Sequence, residues 1–146
     1  MLGSMTSGLP EYLGSQQFRA SFFANPTGQM VSTVADLTKW AKILGTGDAL
    51  SPTLKTERMK WERLGDNNDD WHYCFGIEEN TGSLGHNGMI PGYMTYMVYN
   101  PTIDSSIVLV QNTDKNSGNE PGINPLLRDV SKVLFPHNPL NVPVVG

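Results

Sequence analysis

Ser83-Leu84-Gly85-His86-Asn87-Gly88, Tyr93-Met94-Thr95-Tyr96-Met97-Val98-Tyr99 and Ser106-Ile107-Val108-Leu109-Val110-Gln111 are three short runs parted by the turn formers Pro91-Gly92 and Asn100-Pro101. Runs of this length, rich in aromatic and branched side chains and bounded by Gly, Pro and Asn, predict strands. Short links between them make neighbouring strands antiparallel. Just upstream, Tyr73, Phe75 and Ile77 alternate with other residues, so a fourth strand is expected there, followed by the turn Asn80-Thr81-Gly82. Ile107-Val108-Leu109-Val110 is apolar at every position. That suits an interior strand covered on both faces, although a short buried helix has the same pattern.

Helices flank this block. Ser32 or Thr33, with Asp36 three residues after Thr33, caps a helix whose Val34, Leu37, Ala41 and Leu44 share one face, and Gly45 is expected to close it. A second, short helix is expected from Ser51, with Pro52 in the first-turn position and Leu54 and Trp61 on one side. Asn124 is the expected cap of a last helix, with Pro125 in its first turn and an apolar stripe of Leu126, Leu127, Val130, Val133 and Leu134 to lay on the sheet. The fold class is therefore α+β: a partial antiparallel sheet of three or four strands with a packed carboxy-terminal helix. Residues 1–26 read as an irregular lead-in, 27–135 as the folded unit, and 136–146 as a Pro-rich tail that is either an extended strap or a disordered end.

Composition limits the function. With 38% hydrophobic and 16% charged residues, the 146-residue chain is globular in character, and its net charge of −4 offers no basic field to hold nucleic acid or anionic lipid. No run of about 18 apolar residues is present to span a bilayer. Met1 to Tyr12 lacks the basic start and apolar centre of a secretory signal, so a soluble chain is expected. The single cysteine, Cys74, sits in an alternating apolar stretch and reads as a buried, inert thiol.

Metal-binding patterns fail on inspection. Asp66-Asn67-Asn68-Asp69-Asp70 imitates the opening of a calcium loop, but Trp71 stands where the glycine turn belongs and Ile77 where the closing glutamate belongs. His72, His86 and His137 have no spacing that sets two on one helical face. No metal and no cofactor is expected. What remains is Gly85-His86-Asn87-Gly88-Met89-Ile90-Pro91-Gly92-Tyr93, where glycines on either side of His86 and Asn87 leave the backbone accessible. Such a stretch is either a hairpin with ordinary turn glycines or a strand edge that a ligand approaches closely.

Taken in order, Thr27-Gly28-Gln29-Met30-Val31-Ser32-Thr33-Val34-Ala35-Asp36-Leu37, Tyr73-Cys74-Phe75-Gly76-Ile77, Gly85-His86-Asn87-Gly88 through Gly92-Tyr93, and Leu109-Val110-Gln111-Asn112 resemble the penicillin-recognising serine hydrolases. That family comprises D-alanyl-D-alanine carboxypeptidases and other penicillin-binding proteins, class C β-lactamases and related esterases. The resemblance implies a β-lactamase/transpeptidase-like fragment, the carboxy-terminal portion of the domain. It aligns His86-Asn87-Gly88 with the motif written K-T-G in many β-lactamases. By the same resemblance His86, Asn87 and Gly88 bind substrate, His86 supports the catalytic machinery, and the backbone amide of Met89 is one of two oxyanion-hole donors. The implied substrates are peptidoglycan peptides, β-lactams or esters. Export, as in many members, would make the protein periplasmic or otherwise extracytoplasmic.

Two departures stand against a complete enzyme. The family's nucleophile comes from S-x-x-K and its base from Y-x-N, and neither spacing occurs in the 146 residues. Asn87 stands where Thr is usual. The chain by itself is therefore expected to be inactive, a portion of an acyl hydrolase supplying the substrate-binding strand. The alternative is a non-catalytic binding or scaffold module derived from the same fold. An uncovered sheet edge or face would favour self-association.

Overall fold

The computed structural model describes residues 32–60, 62–63 and 71–142. Thr33 opens helix α1 (Val34–Thr46): its hydroxyl oxygen accepts from the Asp36 N–H at 3.1 Å, satisfying one of the amides that a helix start leaves unpaired. The helix does not stop at Gly45. Its cap is Gly47, whose φ of 67° is the left-handed conformation that only glycine adopts without strain, and whose N–H bonds the Ile43 carbonyl at 2.9 Å. Gly45 instead lies inside the helix against Tyr99: a Cβ at that position would sit 2.7 Å from the Tyr99 Cδ1. Of the expected apolar face, Ala41 is buried, Leu37 and Leu44 are half-buried, and Val34 is exposed.

Helix α2 (Pro52–Arg58) is capped by Ser51, with Pro52 at its start as expected. Leu54 is exposed rather than packed, and Trp61 lies outside the described residues.

Eight strands follow: β1 (Glu62–Arg63), β2 (Trp71–Tyr73), β3 (Glu78–Asn80), β4 (Ser83–Ile90), β5 (Tyr93–Asn100), β6 (Ser105–Gln111), β7 (Asn116–Ser117) and β8 (Glu120–Pro121). The first six form one antiparallel sheet in sequence order, and β7 and β8 form a separate hairpin. The sheet thus exceeds the three or four strands expected. Tyr73 to Ile77, read as one strand, is the bend between two: Gly76 has φ 69°, the Cys74 N–H bonds the Ile77 carbonyl at 2.8 Å, and Phe75 is thrown out to solvent. A period of two across a tight hairpin imitates a strand because the residues on either side of the bend belong to real strands. Cys74 is buried as expected, and burial pushes its thiol up to about 11.

Alternation along β5 divides the core. Met94, Tyr96 and Val98 join Ile107, Ile123, Leu127, Phe135 and Leu140 in one cluster, on the face covered by helix α3 (Ile123–Leu134). Tyr99, on the other face, meets Gly45 of α1. Both faces of β5 and β6 are therefore covered, as the apolar run in β6 predicts, and among the described residues β6 is the last strand in the order.

The last helix begins two residues earlier than expected. Gly122 is its cap, with no side-chain cap bond, and Pro125 falls in the first turn. The sheet takes the residues spaced by four, Ile123, Leu127 and Ser131, so Leu126, Val133 and Leu134 of the expected stripe face solvent while Val130 packs beside the core. Beyond it, residues 136–142 form a strap. Asn80, 2% exposed, donates from its amide to the Asn141 carbonyl at 3.0 Å and accepts from the Asn141 N–H at 2.7 Å, and Thr81 donates to the Pro139 carbonyl at 3.1 Å. Leu140 drops into the core between these bonds. Arg128 adds a clamp from the helix, 2.5 Å from the Glu120 carboxylate and 3.3 Å from the Val142 carbonyl.

Two glycines of β4 differ in what surrounds them. A Cβ on Gly85 would lie 2.0 Å from the Met97 carbonyl oxygen and 2.7 Å from the Val98 Cα, whereas one on Gly88 would meet nothing within 4 Å. Backbone cannot yield as a side-chain tip can. Gly85→Ala should lower the unfolding free energy by roughly 3 kcal/mol, the upper part of the overpacking range, while Gly88→Ala should change it by less than about 0.5 kcal/mol, as for a substitution into open space. Urea titrations of the two variants, followed by tryptophan fluorescence, check the contrast.

Candidate functional site

Strand β3 accompanies β4 only as far as Gly85: the pairs are Asn80 with Ser83, Glu79 with Leu84, and Glu78 with Gly85. Beyond that point the chain bends away through Cys74 to Ile77. Residues His86 to Ile90 are paired on their β5 side alone, so among the described residues this stretch of β4 is an open edge.

Turn geometry decides which groups point out of it. Thr81 and Gly82, both with positive φ, make a two-residue link between β3 and β4, and Pro91 and Gly92 make another between β4 and β5. A two-residue hairpin closes on a pair that exchanges main-chain hydrogen bonds, and the bonding side then alternates along each strand. From the first turn, Ser83 and Gly85 bond toward β3; from the second, Ile90, Gly88 and His86 bond toward β5. The two counts agree. Asn87 and Met89 therefore direct their N–H and C=O groups away from β5, out of the open edge.

Side chains alternate with the same parity. His86 pairs with Met97 on the α1 face, and Asn87 and Met89 pair with Tyr96 and Met94 on the α3 face. The structure thus does not bring the His86 and Asn87 side chains together. What joins the two residues is a contact of 2.5 Å between the His86 Nδ1 and the Asn87 carbonyl oxygen. The other ring nitrogen, Nε2, lies 2.7 Å from the Tyr73 hydroxyl, with the two rings edge to face at 5.6 Å between centroids. Burial first, and then the negative charge of Glu78, raises the Tyr73 phenol above its ordinary value.

Below Asn87 and Met89 lies a cleft of about 240 Å³, floored by Met94 and Tyr96 and walled by Ile123 and Asn124 of α3 and by the strap at Asn141. Burial chiefly, with Glu78 beside it, pushes the Tyr96 phenol far above its ordinary range, and its hydroxyl donates to the Glu78 carboxylate at 3.5 Å. The cleft wall is mostly apolar with a few amide groups, a lining that suits an uncharged organic group. Among the described residues no three His, Cys, Asp or Glu side chains gather as a metal site. His72 is engaged with the Glu79 carboxylate at 2.7 Å. The acidic run 66–70 lies outside the described residues.

Tyr73 is the site residue that sequence reasoning missed. Its period-two neighbours placed it on a strand, and only the bend at Gly76 brings a residue thirteen positions upstream against His86. A glycine set between Phe75 and Ile77 was the available signal.

The sheet is α+β with helices on both faces, and among the described residues one of its strands presents bare main-chain groups beside an apolar cleft. The family model for beta-lactamase matches residues 2–132, and the chain belongs to the beta-lactamase family, with its serine-hydrolase-like fold. No curated protein matches the chain. Among the described residues no helix is long and apolar enough to cross a membrane.

Parity along β4 has a direct readout. The amides of Asn87 and Met89 should exchange with deuterium at least about tenfold faster than those of His86 and Gly88, which bond to β5. Residue-resolved exchange by NMR checks this, and equal protection at all four positions would refute the register argument.

Proposed function

We propose that the chain supplies the substrate-binding strand of a serine acyl hydrolase of the β-lactamase, D-alanyl-D-alanine carboxypeptidase or esterase type. One observation carries this reading: among the described residues β4 is unpaired on one side over His86 to Ile90. A peptide, β-lactam or ester acyl group laid antiparallel along that edge would pair with the Met89 main chain. Gly88, with open space where a Cβ would be, lets the ligand approach, and the cleft under Asn87 and Met89 takes its side group.

In this reading the Met89 N–H is an oxyanion donor. A fixed amide aimed at the position where negative charge develops stabilises the transition state more than the ground state, because it needs no reorganisation when the charge forms. His86 sits one residue before Asn87 and three before Met89, with one ring nitrogen on a hydroxyl and the other on a carbonyl. So placed, the imidazole holds the Asn87 carbonyl, two residues before the Met89 amide. The nucleophile and its base are supplied from outside the 146 residues, since neither S-x-x-K nor Y-x-N occurs within them. The reading also extends to β6, which ends the sheet among the described residues and carries no charged side chain. Such an edge accepts a further strand or a second copy of the chain.

Intact-protein mass spectrometry after incubation with a penicillin or a fluorophosphonate tests the proposal on this chain and on the product of its full reading frame. A covalent adduct on the longer product alone is expected. No adduct on either would favour a non-catalytic binding or scaffold module, the reading to which the missing nucleophile motif also points.

Met89→Pro gives a sharper check in whichever product is acylated. Proline removes the outward N–H without breaking a ladder bond, since an edge strand tolerates proline where its amide faces away. The acylation rate should fall by ~10²- to 10³-fold, the usual cost of one oxyanion donor, with the β5 and β6 amide spectrum unchanged.

A further inference from the structure

We propose that Tyr73 is a positioning residue that holds His86 as the Nδ1–H tautomer, so that the ring caps the Asn87 carbonyl and leaves Met89, among the described residues, as the open-edge position with neither main-chain group engaged. The bearing on substrate choice rests on the acyl-hydrolase reading above; the positioning itself does not.

The assignment follows from what each partner can do. A carbonyl oxygen only accepts, so at 2.5 Å the His86 Nδ1 must carry the proton that lies between it and Asn87. A neutral imidazole has one N–H, so Nε2 is then the bare nitrogen and must accept. The Tyr73 hydroxyl, 2.7 Å away and 13 residues upstream, is the donor in place to satisfy it. Tyr73 is itself 5% exposed, which keeps water from taking its role. The chain of bonds runs from the Tyr73 O–H to Nε2, and from Nδ1–H to the Asn87 oxygen, so the ring lies along the gap that β3 leaves beside β4.

The consequence concerns register. An antiparallel ligand would otherwise find two equivalent pairing positions on this edge, Asn87 and Met89, and could bind in either of two frames two residues apart. With one lone pair of the Asn87 carbonyl already engaged, Met89 is, among the described residues, the open-edge position that offers a donor and a fully free acceptor together. The imidazole thereby selects the frame in which the ligand's reactive group meets the Met89 amide. Replacing the hydroxyl leaves the ring free to turn, and both frames become available.

Long-range ¹⁵N–¹H NMR on the histidine rings of this chain, in mildly alkaline buffer, tests the proposal. In the wild type, His86 should show a protonated Nδ1 and a bare Nε2, the minority tautomer of free histidine. The Tyr73 hydroxyl proton should be slow to exchange and close to the His86 ring in nuclear Overhauser spectra. Tyr73→Phe, which keeps the ring packing, should release His86 to a mixture dominated by Nε2–H and shift the Asn87 carbonyl carbon. A wild-type His86 with Nε2 protonated overturns the proposal, as does an unchanged His86 spectrum in Tyr73→Phe. Should that variant fail to fold, the wild-type tautomer and the hydroxyl proton decide the matter alone. The two readings separate cleanly: the expected tautomer with no covalent adduct on the longer product sinks the hydrolase and leaves the positioning role standing, whereas an adduct with the wrong tautomer does the reverse.

Discussion

Register in β4 is locked from both ends, and the rest of the site depends on that lock. Thr81-Gly82 fixes its pairing with β3, and Pro91-Gly92 fixes its pairing with β5. Each two-residue turn sets which amides bond inward, and because the two settings agree, no slip is available that would satisfy both. A shift by one residue would turn Asn87 and Met89 toward β5 and expose the amides of His86 and Gly88 instead. It would also bring a side chain where Gly85 now passes within 2.0 Å, by its absent Cβ, of the Met97 oxygen. Steric exclusion at Gly85 and turn geometry thus enforce one frame.

The covering layers hold that frame rigid. On one face α1 reaches the sheet through Ala41 and Gly45, small residues that let the helix come close to Tyr99. On the other, Leu127 and Ile123 press on Met94, Tyr96 and Val98, and the strap drops Leu140 into the same cluster. Losing a buried leucine in such a cluster costs about 2–5 kcal/mol, a large share of the stability of a domain this size. The polar bonds decide direction more than energy. Asn80 bonds both main-chain groups of Asn141, so the strap returns across the β3–β4 turn and nowhere else. A strap anchored there walls one side of the cleft beside Met89, tying the chain's last described residues to the site.

Much of this was legible in the sequence, for reasons that can be named. The strands β4, β5 and β6 were recognised because their turn residues are unambiguous, and the cap at Thr33 because a side-chain oxygen three residues before an acid is a local signal. The misreadings share a cause, since each concerns a choice that tertiary contact makes. Gly45 reads as a helix stop until Tyr99 is placed against it, and Asn124 reads as a cap until Ile123 is found in the core. Leu126, Val133 and Leu134 match a helical stripe as well as Ile123, Leu127 and Ser131 do, and only the sheet chooses between them. For the candidate site, resemblance alone singles out His86, Asn87, Gly88 and Met89, but the alternation that sends the His86 and Asn87 side chains to opposite faces was open to deduction once the strand was recognised. Tyr73 was not, because a hairpin disguised as a strand hid its approach to His86.

The direction of the groups at this edge resides in the backbone, and that sets a mixture of tolerance and rigidity. Asn87 in place of a hydroxyl residue alters the side chain over the cleft but leaves its N–H and C=O directed outward, since direction belongs to the register. Met89 likewise directs its amide outward whatever thioether it carries, and its side chain forms part of the cleft wall. The constraints fall instead on length and on glycine. One residue added or removed between Gly85 and Pro91 would bring the two turns into conflict over which amides bond inward, and the strand would have to bulge or lose pairing with β5. A side chain at Gly88 would meet open space and leave the fold intact. Packing therefore demands glycine at Gly85 and makes no such demand at Gly88, three positions on.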